Sequence, residues 1–179
     1  MSYAEICDKV EMIQKKYHES NPFRLCSAMD IMLIFRSMGN NPNAIKGFFL
    51  ESKRIRTITV NDDLPLLIQK VIVAHELGHA IMHHKRGVFT FHDLRLFDES
   101  SLAEKEANLF AAEYLLSDEE VLEVLNRDTT FFTAAAKLTV PVELLDLKWK
   151  GYKLSEPPME SRSDFLKNIE MLDNYNFCE

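Results

Sequence analysis

The sequence predicts an α+β fold that is mostly helical, with a small antiparallel sheet packed against one long buried helix. Most of the chain has apolar residues at helical spacing, and one short region alternates in the manner of a β-hairpin. The stretch VIVAHELGHAIM at 71–82 is apolar around most of its circumference. A helix of that kind must be buried, so the sheet and the other helices are expected to surround it.

Each element is predicted from its local pattern. Helices are placed where apolar residues recur every three or four positions, and strands where apolar and polar residues alternate. The predicted helices cover 3–17, 24–38, 64–85, 102–116, 118–126, 130–138 and 141–150, and the predicted strands cover 45–51 and 54–61. Polar oxygens at residues 61–63 are expected to cap the long helix, and Gly87 marks its expected end.

Composition and charge restrict the class of protein. The chain has 179 residues and a formal net charge of −7, and 46 % of its residues are hydrophobic, which is typical of a globular protein. No apolar run of about 18 residues and no apolar signal sequence is present, so neither a membrane span nor secretion is expected. The acidic balance, without a basic run, argues against a nucleic-acid partner. Three cysteines without CxxC spacing predict free thiols and therefore a cytoplasmic protein.

Five of the six histidines lie within residues 75–92, and two of them form the motif HExxH, His75-Glu76-Leu77-Gly78-His79. Residues four apart share one face of a helix, so His75 and His79 can bind a single Zn²⁺ through two of its four positions. Glu76 lies beside them and can take a proton from a metal-bound water without itself binding the metal. The motif therefore predicts a zinc peptidase. The alternative is a histidine pair that is hydrogen-bonded in the core.

A catalytic zinc site takes a third protein ligand, for which the sequence offers several candidates. The spacing HExxHxxGxxH would need a histidine where Lys85 stands, which excludes that class of zinc peptidase. His92 and Asp93 lie in the loop predicted over 88–101, and Glu104 begins the next helix. We favour Glu104, because a carboxylate with an amide one turn later, at residue 108, resembles the ExxxD arrangement of zinc peptidases with a glutamate ligand. In that arrangement the second residue accepts a hydrogen bond from a metal-bound histidine and fixes its tautomer.

Three other polar side chains near these residues have alternative interpretations. His83 follows His79 by one turn, and it either orients substrate or water beside the metal or forms a polar helix end. Glu106 points about 200° away from Glu104 around its helix, and it is expected to be solvated or part of a structural ion pair. Tyr114 is expected in the core or at the rim of the site.

These motifs are similar to those of the ImmA/IrrE family of zinc metallopeptidases. The resemblance covers residues 60–116 and rests on AHELGH at 74–79, followed by His83, and on EKEANLFAAEYLL at 104–116. It implies a zincin-like fold of the glutamate-ligand type with one Zn²⁺ per chain. Carried over to this sequence, it implies that His75, His79 and Glu104 are the three metal ligands and that Glu76 is the catalytic residue. It also implies that Asn108 and His83 are orienting residues.

The resemblance also implies a function. Members of the family are cytoplasmic peptidases of bacteria or phages that typically cleave a helix-turn-helix transcriptional repressor. The short chain resembles the mobile-element branch, whose members act as anti-repressor proteases. The implied reaction is a glutamate-assisted attack of a zinc-bound water on a peptide bond. The implied partner is a protein substrate, with no direct contact to nucleic acid or membrane.

The chain is expected to divide into three regions. These are a metallopeptidase core over 1–117, a helical part over 118–150 packed on that core, and a tail over 151–179. Two other functions stay open. A zinc-containing regulatory binding module could inactivate a repressor by sequestration without cleavage. A DNA-binding regulator is disfavoured by the net charge of −7, although residues 130–150 loosely resemble a helix-turn-helix.

Overall fold

The computed structural model describes residues 1–41, 43–83, 97, 101–125 and 130–154. The α+β prediction is confirmed, and the first compact unit, Met1–Leu115, carries the sheet. The second unit begins at Leu116. In chain order the elements are α1 (Tyr3–Tyr17), α2 (Pro22–Ala28), β1 (Ile31–Arg36), β2 (Gly47–Ser52), β3 (Ile55–Asn61), α3 (Leu66–Met82), α4 (Leu102–Leu115), α5 (Asp118–Leu125), α6 (Phe131–Leu138) and α7 (Val142–Leu154). Among these helices, none is long and apolar enough to cross a membrane.

A three-stranded sheet with the order β1-β3-β2 supports the long helix. β1 runs parallel to β3, with Leu33 opposite Ile58, and β2 runs antiparallel to β3, with Phe49 opposite Ile58. α3 packs against β2, β3 and α4. Gly47 permits the close approach of α3, because a Cβ at this position would lie 2.5 Å from a methyl carbon of Ile72. The helix is thus enclosed, as its apolar circumference predicts.

The prediction of a helix over 24–38 is wrong beyond Ala28. α2 ends there, Asp30 turns the chain with a φ of 54°, and the next residues form the edge strand β1. Aspartate is one of the few residues that adopt this left-handed conformation readily. The five apolar residues that follow, at 31–35, fit a helix or a strand by spacing alone, and pairing with β3 selects the strand. The sheet is therefore mixed, whereas the sequence predicts a purely antiparallel one.

The remaining elements agree with their predictions. The hairpin of β2 and β3 and the other helices are confirmed, with shifts of a few residues at their ends. Apart from residues 97 and 101, the loop predicted over 88–101 lies outside the described residues, and so does the tail beyond residue 154. Packing of the region 118–150 on the core stays a prediction.

The cap predicted for α3 is wrong. The N-cap is Pro65, which makes no side-chain hydrogen bond to the helix. Asn61 is a buried cross-link instead, because its Nδ2 donates to the carbonyl oxygens of Gly39 at 2.7 Å and Ile45 at 2.9 Å. Its Oδ1 accepts from the backbone N–H of Met38 at 3.2 Å. Asn61 therefore holds the segment between β1 and β2 against the end of β3 that leads into α3.

Candidate metal centre

Helices α3 and α4 pack side by side and bring His75, His79 and Glu104 together. α3 carries the two histidines one turn apart in its buried middle. α4 carries Glu104 in its first turn, where the backbone N–H of Glu104 donates to Ser101 Oγ at 3.2 Å. All three residues are buried. Burial of a carboxylate costs free energy unless other groups compensate its charge, so a cation bound in this cluster would be favourable.

The distances within this cluster suit one small cation. Nε2 of His75 lies 3.0 Å from Nε2 of His79 and 3.2 Å from Oε2 of Glu104. Nε2 of His79 lies 3.5 Å from Oε1 of Glu104. Zinc bonds of about 2.0–2.1 Å at tetrahedral angles put ligand atoms roughly 3.3 Å apart. The two nitrogens and the carboxylate therefore fit three corners of a zinc tetrahedron and leave the fourth corner for another ligand.

The electrostatic surroundings of His75 are dominated by carboxylates. Burial lowers the pKa of His75, but the contact with Glu104, the charge of Glu76 and a hydrogen bond with the Asn108 side chain together raise this pKa above its ordinary value. The site is thus arranged to hold positive charge next to its histidines. A bound divalent cation would supply that charge directly, and two carboxylates buried close together are compensated by it.

Glu76 and Asn108, which the sequence predicts beside the metal ligands, are both buried and both interact with His75. Glu76 is only 1 % exposed and lies close enough to His75 to act on its charge. Asn108, one turn after Glu104 on α4, is buried and forms a hydrogen bond with His75. Such a contact fixes the orientation of a ligand histidine. The structure therefore brings together five of the six predicted site residues on two adjacent helices.

Gly78 allows the two helices to approach each other, which the sequence analysis missed. A Cβ at Gly78 would lie 3.1 Å from Cα of Ala107, 3.2 Å from Cβ of Phe110 and 3.3 Å from the carbonyl oxygen of Ala107. These distances are tighter than most real Cβ contacts, so a side chain at this position requires α4 to shift by a few tenths of an ångström. The sequence feature that could have predicted this contact is a glycine in the middle of an otherwise strong helix. Glycine there destabilises a helix by about 1 kcal/mol relative to alanine, so its presence indicates a packing reason.

Replacement of Gly78 with alanine is expected to destabilise the fold and weaken metal binding. The helix gains about 1 kcal/mol in propensity, but overpacking against the backbone of α4 typically costs about 1–3 kcal/mol. Displacement of α4 also moves Glu104 away from the histidines. Urea unfolding and a zinc titration measure the two effects. A variant that is more stable than wild type and binds zinc equally well would show that the close approach is unimportant.

His83, the C-cap residue of α3, contacts the carboxylate of Glu106. Nε2 of His83 lies 3.4 Å from Oε2 of Glu106, and Oε1 of Glu106 contacts the amino group of Met1. Glu106 is 4 % exposed, so its interpretation as a solvated charge is wrong and that of a structural ion pair is confirmed. The ring of His83 also lies near His79, with ring centroids 5.4 Å apart. Both interpretations of His83 therefore stay predictions.

The other candidates fall into two groups. Tyr114 belongs to the core, where its hydroxyl donates to the carbonyl oxygen of Glu19 at 2.9 Å. His92 and Asp93, the alternatives to Glu104 as third ligand, lie outside the described residues. Among the described residues, the group of metal-ligating side chains is therefore His75, His79 and Glu104.

Comparison with known proteins gives a family and two relatives. The Peptidase M78 family, described as the IrrE N-terminal-like domain, matches residues 26–150. Uncharacterized immunity region protein 2 of Bacillus phage phi105 is 35 % identical over 146 residues, which cover 82 % of this chain and 90 % of that protein. Metallopeptidase ImmA of Bacillus subtilis strain 168 is 27 % identical over 150 residues, which cover 83 % of each. The matched region includes the whole metal-ligating cluster.

Proposed function

Because the chain belongs to the Peptidase M78 family and is a metallopeptidase, we propose that it is a zinc-dependent endopeptidase that cleaves a helix-turn-helix transcriptional repressor. The observation that supports this best is the buried cluster of His75, His79 and Glu104, with Glu76 beside it. We further propose that it acts in the cytoplasm, where such repressors bind DNA.

Zinc is the metal that the ligand atoms favour. Two imidazole nitrogens and one carboxylate oxygen form a typical set for catalytic zinc. Calcium and magnesium prefer oxygen ligands and more of them, which a cluster of this composition does not supply. When bound, zinc would lower the pKa of a water molecule to about 7 and polarise the carbonyl group of the scissile peptide.

Side chains of α3 and α4 supply metal binding, orientation of a ligand and proton transfer. His75, His79 and Glu104 hold the metal, and Asn108 keeps the ring of His75 in its orientation. Glu76 follows His75 on α3 and takes the proton of the attacking water. The same carboxylic acid then delivers that proton to the leaving amine, so each turnover returns Glu76 to its carboxylate form. Burial of Glu76 keeps bulk water from competing for this transfer.

The proposed substrate class is supported by the relatives and by charge. The resemblance to ImmA/IrrE peptidases implies a repressor, and one relative is named as an immunity region protein of a phage. An anti-repressor protease would release a mobile element from its silent state. The net charge of −7 disfavours direct binding to nucleic acid and suits a partner whose DNA-binding surface is basic.

The proposal is tested by mixing the zinc-loaded protein with candidate helix-turn-helix repressors. Intact-mass spectrometry is expected to show two repressor fragments whose masses sum to the repressor plus one water. A repressor that stays full length in a stable complex with the wild-type protein would favour sequestration instead. The Glu76→Gln variant is the matched control, because it keeps the side-chain volume and removes the base.

A further inference from the structure

Strand β1 is an edge strand of the sheet in the part of the chain that the structure describes, so its outer side can accept a further strand. We propose that β1 pairs antiparallel with β1 of a second copy of this chain, which joins the two sheets into one. The interface consists of residues 30–36 of each copy, with Leu33 at the two-fold axis. It forms whether or not the protein is a peptidase.

Apolar residues fill β1 from Ile31 to Phe35, and two of them are largely exposed. Met32 is 56 % exposed and Phe35 is 45 % exposed. Natural edge strands are commonly protected against pairing by a charged residue, a proline or a bulge. Residues 31–35 contain neither a charged residue nor a proline, and their register with β3 runs without a bulge. This edge therefore has the composition of a strand that pairs.

The backbone of β1 determines which residues can bond to a further strand. The carbonyl oxygen of Arg36 accepts from the backbone N–H of Asp62 at 3.1 Å, so the backbone groups of Arg36 point toward β3. In a parallel pair, the backbone groups of alternate residues point to opposite sides of the strand. The N–H and C=O groups of Ile31, Leu33 and Phe35 therefore point to the outer edge.

One antiparallel register uses all three of these residues in each copy. Leu33 lies opposite the partner's Leu33, and Ile31 lies opposite the partner's Phe35, and each such pair exchanges two backbone hydrogen bonds. A shift by two residues in either direction loses one of these pairs. The direction of the backbone groups therefore selects a symmetric pairing, which only a second copy can provide.

The charges at the ends of β1 fit the same register. Arg36 then lies opposite the partner's Asp30 at both ends of the interface, and both side chains are exposed in the single chain. Opposite charges that face each other across an antiparallel pair stabilise it, whereas like charges destabilise it. Charge complementarity and the backbone pattern thus point to one occupant, a second copy of this chain.

Sedimentation equilibrium of the full chain at increasing concentrations measures this association. Wild-type protein is expected to approach twice the mass of one chain. Phe35→Pro is expected to stay monomeric, because proline lacks the N–H that points outward while the ladder to β3 is kept. Lys15→Glu, an exposed charge reversal on α1, is the control and is expected to associate like wild type. Wild-type protein that stays monomeric, or Phe35→Pro protein that associates equally well, would overturn the proposal.

Two charge reversals test the register even if Phe35→Pro fails to fold. Arg36→Glu and Asp30→Lys each place like charges opposite each other at both ends, so each is expected to associate at least about tenfold more weakly than wild type. Lysine is tolerated at the φ of 54° found for Asp30, since Lys53 has a φ of 50°.

An equimolar mixture of the two charge-reversal variants is expected to regain association. In a dimer of one chain of each variant, every charge at the interface faces an opposite charge. Circular dichroism checks that both variants are folded. A mixture of folded variants that associates no better than either alone would contradict the proposed register, and so would wild-type association by either variant alone.

Discussion

Replacement of Glu76 with glutamine is expected to leave zinc in place and to reduce the rate of repressor cleavage about 10²–10⁴-fold. The magnitude is that of a lost general base. Glutamine keeps the volume and the polarity of this buried position but cannot accept the proton of the attacking water. Binding of the metal is expected to be unaffected, because Glu76 is not among the three proposed ligands, His75, His79 and Glu104.

The measurement combines an initial rate of fragment formation with elemental analysis of the same sample. Glu113→Gln is the control for loss of a carboxylate in the same unit, since Glu113 accepts a hydrogen bond from Tyr3 at 2.7 Å. This control is expected to cleave at the wild-type rate. The assignment of Glu76 as the base fails if its variant cleaves within a factor of ten of wild type. It also fails if activity is lost only because zinc is lost.

Replacement of Glu104 with alanine is expected to empty the metal site. Loss of an outer residue that merely orients a ligand costs about 10–100-fold in metal affinity, so loss of a ligand itself is expected to cost more than about 100-fold. Two histidines 3.0 Å apart remain, but they satisfy only half of a zinc tetrahedron. Cleavage falls in parallel with the zinc content.

Zinc content after dialysis and competition with a coloured chelator measure this effect, with Glu113→Ala as the control. Equal zinc binding by wild type and Glu104→Ala would place the third ligand elsewhere. His92 and Asp93 would then be the next residues to replace, as they follow the same helix in the chain. Asn108→Ala is a useful comparison, because a residue that only orients His75 lowers zinc affinity less than a ligand does.

The residues of the site could be predicted because the geometry of a helix is local. Spacing alone fixes that His75 and His79 share a face of α3, and that Asn108 follows Glu104 by one turn of α4. The packing of α3 against α4 is not local, and the requirement of zinc for a third ligand leaves His92, Asp93 and Glu104 as candidates. The resemblance to zinc peptidases with a glutamate ligand favours Glu104, and the structure brings this residue to the two histidines.

Other features could not be predicted, because they depend on partners that are distant in the chain. The residues at 31–35 form a strand since β3 pairs with them, and the same apolar run could have continued a helix. Glu106 was expected to be solvated or paired because it points away from Glu104, and only the fold shows that His83 meets it there. The importance of Gly78 is visible only once Ala107 is known to face it.

The most direct test of the proposed metal centre is an anomalous diffraction measurement at the zinc absorption edge on crystals of the zinc-loaded protein. The expected result is one strong peak that lies about 2.0–2.2 Å from Nε2 of His75, Nε2 of His79 and a carboxylate oxygen of Glu104. A peak bound by other residues would contradict the ligand assignment. Absence of any peak in crystals that diffract well would contradict the zinc peptidase itself.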